Sequence, residues 1–209
     1  MYRIKHCKTQ RERDLHVIEG LVRRFGSLSQ VEIHDLTHLQ RSAISGLVRD
    51  LLKQGRLVEA GRSNNSMGRK RILLRIHEEH GFFLGIGFDD ESVLAAVMDL
   101  RPRIRSVTRE ATRLEGSTNG LAHQLLSCAH EALRQAGLKA ETLLGIGIAG
   151  SGLVNSHEGT MVMSSTIESL KQVPLRRIFE KEFAVPVQVA NFGSAKAVGP
   201  SARALCPMT

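Results

Sequence analysis

The sequence predicts a mixed chain, an α+β head joined to a layered α/β body, and three observations lead there. Positive charge is confined to the first third: residues 1–76 hold 16 Lys and Arg against 7 Asp and Glu, whereas residues 77–209 hold 13 against 14. Apolar residues recur at helical spacing three times before residue 53, and two short β-type runs then flank a Gly- and Arg-rich stretch. From Gly81 onward, apolar β runs alternate with long helical stripes, the order of a layered α/β domain. The boundaries drawn are 1–80 for the head, 81–199 for the body and 200–209 for a tail of different character.

In the head, Leu15, Ile18, Leu21, Val22 and Phe25 form one stripe at spacings of three and four, so the first helix is expected to bury all five. Gly26 ends it as a C-terminal glycine cap. Ser29, three residues before Glu32, is a capping box opening a short helix with Val31, Ile33 and Leu36 inside. A turn at Thr37-His38-Leu39 leads into a third helix, Gln40 to Leu52. Ile44, Leu47, Val48, Leu51 and Leu52 face inward there, leaving Gln40, Arg41, Ser42, Ser45 and Arg49 on the outer face and the N-terminal end. Arg56–Ala60 and Ile72–Ile76 read as two strands, and the connection between them carries Arg62, Arg69, Lys70 and Arg71.

Three short helices with a tight turn before the third, followed by a cationic hairpin, have the layout of a winged helix-turn-helix. Small hydrogen-bonding side chains at the start of the third helix suit base edges in a major groove, and Gln40, Ser42 and Ser45 fit that need. Arg41 and Arg49 can take a guanine or a phosphate. Arg62, Arg69, Lys70 and Arg71 can track phosphates or enter a narrow minor groove. The bland alternatives are a three-helix bundle with a polar face and a solvated basic loop; helices and hairpin together favour double-stranded DNA as the partner.

In the body, Phe82–Phe88, Ser92–Leu100 and Ile104–Thr108 read as strands. A helix from Thr118 to Ala136 follows, then a strand at Leu143–Ala149, a glycine-rich turn at Gly150–Val154, a helix from Leu175 to Phe183 and a strand at Val187–Ala190.

Composition excludes several classes. Apolar residues at 42% and charged residues at 24% describe a globular chain. No apolar run approaches the roughly 18 residues of a membrane span, and Met1–Cys7 has no apolar core of a signal peptide, so a cytoplasmic protein away from membranes is expected. Cys7, Cys128 and Cys206 lack metal-type spacing and are expected to be reduced thiols. His77 and His80 stand three apart without a third ligand, so no metal and no cofactor are expected.

The order of elements resembles the ROK family of sugar-responsive repressors and sugar kinases. The resemblance runs through Leu28–Glu32, Met67–Arg71, Leu84-Gly85-Ile86, Gly145–Val154, Gly159-Thr160 and Val173-Pro174-Leu175 to Asn191. It implies that the body is the first lobe of an actin-like (ribonuclease H-like) ATPase fold, with Gly150, Gly152 and Asn191 as possible effector contacts. It also implies a chain about twice this length, with zinc in a second lobe; this sequence is therefore expected to be truncated after the first lobe, with an incomplete sugar pocket. Three departures bear on chemistry. The family's cation-binding aspartate falls at Gly87, ahead of Asp89-Asp90-Glu91, whose charges repel phosphate. Its general-base aspartate falls at Phe192, which accepts no proton. Its sugar-contacting Pro-Asn falls at Thr166-Ile167. No catalytic residue is expected. The expectation is a DNA-binding regulator, a repressor of sugar-utilisation genes acting as a homodimer without kinase activity. A sugar kinase and a truncated non-functional remnant are the alternative readings.

Overall fold

The structure, a computed structural model, describes residues 9–63, 70–113, 118–164, 167 and 170–195. It divides into two compact units, Met1–His80 and Gly81–Thr209.

The first unit opens with helix α1 (Gln10–Phe25). Thr9 caps it: its hydroxyl accepts the Glu12 N–H and its own N–H donates to the Glu12 carboxylate. Gly26 leaves the helix at φ +81°, a backbone state that glycine adopts without a Cβ clash. Leu15, Ile18 and Val22 are buried, but Leu21 is half-buried and Phe25 is 51% exposed. The expected five-residue stripe is therefore narrower. Phe25 instead lies under the Arg24 guanidinium, 5.6 Å from the ring centroid.

A two-residue strand, β1 (Leu28–Ser29), leads into α2 (Gln30–Thr37), whose start is the expected Ser29–Glu32 box. Ile33 is buried and Val31 half-buried, whereas Leu36 is exposed and does not join the core as expected. A helix of two turns buries only one row of side chains. His38 takes the left-handed conformation at φ +57°, and His34 Nδ1 donates to the Leu39 carbonyl at 2.7 Å, bracing the turn.

Helix α3 spans Arg41–Lys53; Gln40 is its cap and not its first residue. Ile44, Leu47, Val48 and Leu51 are buried and Leu52 is half-buried. Strands β2 (Leu57–Arg62) and β3 (Ile72–Ile76) pair antiparallel, and β1 adds to the far side of β3, giving the order β1-β3-β2. Between Glu59 and Arg62 the register slips by one residue around Gly61 at φ +92°, a β-bulge that twists the hairpin. The Arg56 guanidinium forks onto the Glu19 carboxylate, where both side chains are largely covered, and ties α1 to the foot of the hairpin.

The second unit is built on five strands, β4 (Phe82–Phe88), β5 (Ser92–Asp99), β6 (Ile104–Ala111), β7 (Leu143–Gly150) and β11 (Val187–Asn191), in the order β11-β7-β4-β5-β6. β4, β7 and β11 run parallel, and β5 and β6 are antiparallel to their neighbours. Helices α4 (Thr118–Ala136) and α5 (Leu175–Phe183) cover one face. Leu84, Ile86, Val97, Ile146 and Val189 share that face because alternate residues of a strand point the same way; they pack with Leu125, Ala129 and Phe179 in one core.

Strands β8 (Leu153–Asn155), β9 (Thr160–Met163) and β10 (Lys171–Val173) form a small second sheet in the order β10-β9-β8. Sequence reading missed β9 and β10 and took Gly150–Val154 for a turn. Gly150 instead ends β7, and Leu153 begins β8. β4 and β5 are both interior in the sheet and paired along both edges. The open face still presents Phe83 and Leu144, 39% and 41% exposed.

Candidate nucleic-acid interface

In the first unit, the chain start of α2, the chain start of α3 and both hairpin strands converge on one open cleft of about 980 Å³. Gln30 and Arg41 contribute from the two helices, and Arg62, Lys70 and Arg71 from the hairpin; among the described lining residues, Glu59 is the one carboxylate. Local backbone pairing holds this arrangement. Ser29 is both the cap of α2 and the β1 partner of Leu73 on β3, so the start of α2 and the hairpin are one framework. At the other end, Ser63 N–H donates to the Arg71 carbonyl at 2.8 Å and Arg71 N–H to the Ser63 hydroxyl at 3.2 Å, which closes the base of the hairpin connection. The Ser29 hydroxyl and N–H, aided by Arg71, hold the Glu32 carboxyl below its usual range.

The sequence-predicted contacts divide as follows. Gln40, Arg41, Ser42, Ser45 and Arg49 are all exposed along α3 or at its cap, and Arg62, Lys70 and Arg71 are exposed on the hairpin. Arg41, Arg62, Lys70 and Arg71 share the cleft, whereas Ser42, Ser45 and Arg49 lie on α3 outside it. Arg69, with the rest of 64–69, lies outside the described residues. Sequence reasoning missed Gln30. Its amide oxygen accepts the Ser45 hydroxyl at 3.0 Å, a contact across 15 residues that no local pattern announces.

In the second unit, Phe88, Gly150 and Asn191 are brought side by side at the C-terminal ends of the three parallel strands. Ligands in open α/β sheets bind at that edge. Packing accounts for both glycines: a Cβ on Gly150 would overlap the Phe88 ring and the Met161 methyl, and Gly152, at φ +130°, lies against the Met163 carbonyl. Asn191 Oδ1 accepts the Ser194 N–H at 2.7 Å and starts a helical turn over 192–195.

The Phe192 ring lies against Gly87, 3.4 Å from where a Cβ would stand. Asp89 spends one carboxylate oxygen on the N–H groups of Glu91 and Ser92, at 3.0 and 2.8 Å, so this acidic turn is closed on itself. Ile167 is in the core, 4% exposed. Among the described residues, no group of three His, Cys, Asp or Glu could hold a metal, and no helix is long and apolar enough to cross a membrane.

The chain is 27% identical over 173 residues to a putative xylose repressor of Caldicellulosiruptor sp. (strain Rt8B.4), covering 83% of this chain and 43% of that protein. It is 21% identical over 192 residues to the DNA-binding transcriptional repressor Mlc of Escherichia coli (strain K12), covering 91% of this chain and 47% of that one. The chain thus spans less than half the length of these relatives. In fold it is similar to the crystal structure of a ROK family transcriptional regulator, a homolog of the E. coli MLC protein. There the TM-score is 0.68 at 21% identity, over 87% of this chain and 46% of the other. Residues 84–202 match the family model described as ROK, more than half of the sequence, and the chain belongs to the ROK family.

Proposed function

We propose that this chain binds double-stranded DNA as a transcriptional regulator of the ROK type, a repressor of sugar-utilisation genes. Its first 80 residues act as a winged helix-turn-helix: α2 and α3 form the helix-turn-helix, α3 enters the major groove, and the β2–β3 hairpin is the wing on the flanking phosphates. The observation that carries this reading is the cleft joining Arg41 to Arg62, Lys70 and Arg71, beside an α3 face that offers Ser42, Ser45 and Arg49 and no bulky apolar group. Such a face satisfies base edges, and such a cationic flank neutralises phosphates. The names of the two relatives, a putative xylose repressor and the repressor Mlc, support the same reading. A homodimer setting two α3 helices in successive major-groove turns is part of the proposal.

The body acts without kinase chemistry. Phe192 stands where the family's general base belongs and offers no proton acceptor, and its ring occupies the space beside Gly87. Gly150, Gly152 and Asn191 remain the proposed place for any effector, at the carboxyl edge of the parallel strands.

The test is selection of bound DNA from a random duplex pool at about 0.15 M salt, where non-specific contacts are weakened. Recovery of one enriched motif supports the reading, and an unenriched pool contradicts it. A coupled ATP-consumption assay with hexoses addresses the enzymatic part, and turnover would overturn it.

A further inference from the structure

The hydrogen bond between Ser45 and Gln30 sets what the α3 face can read. A serine hydroxyl normally donates one bond and accepts two, so it tolerates either kind of base edge. Here its single hydrogen is committed to Gln30 Oε1 at 3.0 Å. Ser45 Oγ then faces outward with lone pairs alone. Gln30, one lone pair of whose amide oxygen is taken by Ser45, keeps both donors of its NH2 group free of that bond, and it lines the cationic cleft with Arg41. Both side chains are exposed, so the pair is presented to a ligand instead of being spent on the core. The Ser29–Glu32 capping box and the pairing of β1 with β3 fix the backbone that carries Gln30.

We propose that Gln30 is a positioning residue for base reading: it makes Ser45 an acceptor-only reader, selecting an exocyclic amine in the major groove, N4 of cytosine or N6 of adenine, while its own NH2 group takes a backbone phosphate. Guanine O6, thymine O4 and the purine N7 are acceptors, and they repel a hydroxyl oxygen whose proton points elsewhere. This inference rests on the DNA-binding reading above and adds to it the class of base edge that one side chain reads.

The experiment measures binding of the full chain to its selected duplex and to the three variants at each base pair. Ser45→Ala identifies the pair read through Ser45. At that pair the parent is expected to prefer the base with the exocyclic amine by roughly fivefold, the size of one hydrogen bond. Gln30→Ala frees the hydroxyl to donate and should erase that preference without touching preference elsewhere. Gln30→Glu still accepts from Ser45 but loses the NH2 group and adds a negative charge; it should keep the preference while weakening binding to every sequence. A Gln30→Ala protein that retains the full preference overturns the proposal and leaves DNA binding standing, as does a site at which Ser45→Ala relaxes recognition of a keto base. A parent that enriches no motif overturns the DNA-binding reading and this inference with it.

Discussion

Arg41 and Cys128 show how local surroundings turn a side chain to opposite uses. Arg41 is the first residue of α3, exposed, and lines the cationic cleft. On the proposed reading, replacing it with alanine removes a DNA contact without opening the core, so affinity for the selected site should fall by about 1–3 kcal/mol while thermal stability stays within about 0.5 kcal/mol of the parent. Binding isotherms and melts on the same variant check both halves. Cys128 is fully buried in α4, and burial, followed by the negative charge of Glu110, pushes its thiol up to about 11. The thiolate is the reactive form, so Cys128 should resist alkylation at neutral pH until the unit unfolds. Mapping of iodoacetamide adducts by mass spectrometry, in native buffer and in denaturant, tests this; rapid native labelling would contradict the burial.

At the scale of elements, the β2–β3 hairpin and the cap of α2 make separable predictions. Lys70 and Arg71 lie on the hairpin beside Arg62, and Arg69 precedes them in the sequence. Changing Arg69, Lys70 and Arg71 together to alanine should weaken binding to every sequence and make the slope of log K against log salt shallower by about two to three units. An unchanged slope would mean that this connection does not meet DNA. The cap is read by acid. Glu32 is held below its usual value of 4.5 by the Ser29 hydroxyl, then the Ser29 N–H, with Arg71 contributing. A carboxylate whose folded pKa is depressed stabilises fully above its unfolded pKa and loses that contribution as pH falls through the folded one. The first unit should therefore lose stability below about pH 4.5, and Glu32→Gln should flatten that loss. Thermal melts of the two proteins between pH 3 and 6 provide the comparison.

For the whole molecule, legibility followed the range of the interactions involved. Helices α1 to α5 and strands β4 to β7 were written in local periodicity, and the Ser29–Glu32 box in a three-residue spacing. Strands β1, β9 and β10 were not, because two to four residues have no period; they exist only through their partners across the sheet. Phe25 and Leu36 read as core because spacing alone cannot say where a neighbouring element ends. The cationic half of the candidate interface was legible as charge, since the surplus in residues 1–76 needs only counting. The Gln30–Ser45 bond was not, because it joins two helices that only the folded turn at His38 brings together.

That basic head on a near-neutral body is the basis of the central claim, specific DNA binding, and one titration tests it directly. Fluorescence anisotropy with the selected duplex and a scrambled duplex, at about 0.15 M salt, should give roughly a thousandfold or greater preference for the selected sequence. Equal affinities for the two duplexes at that salt would contradict the account, because charge alone would then explain all of the binding.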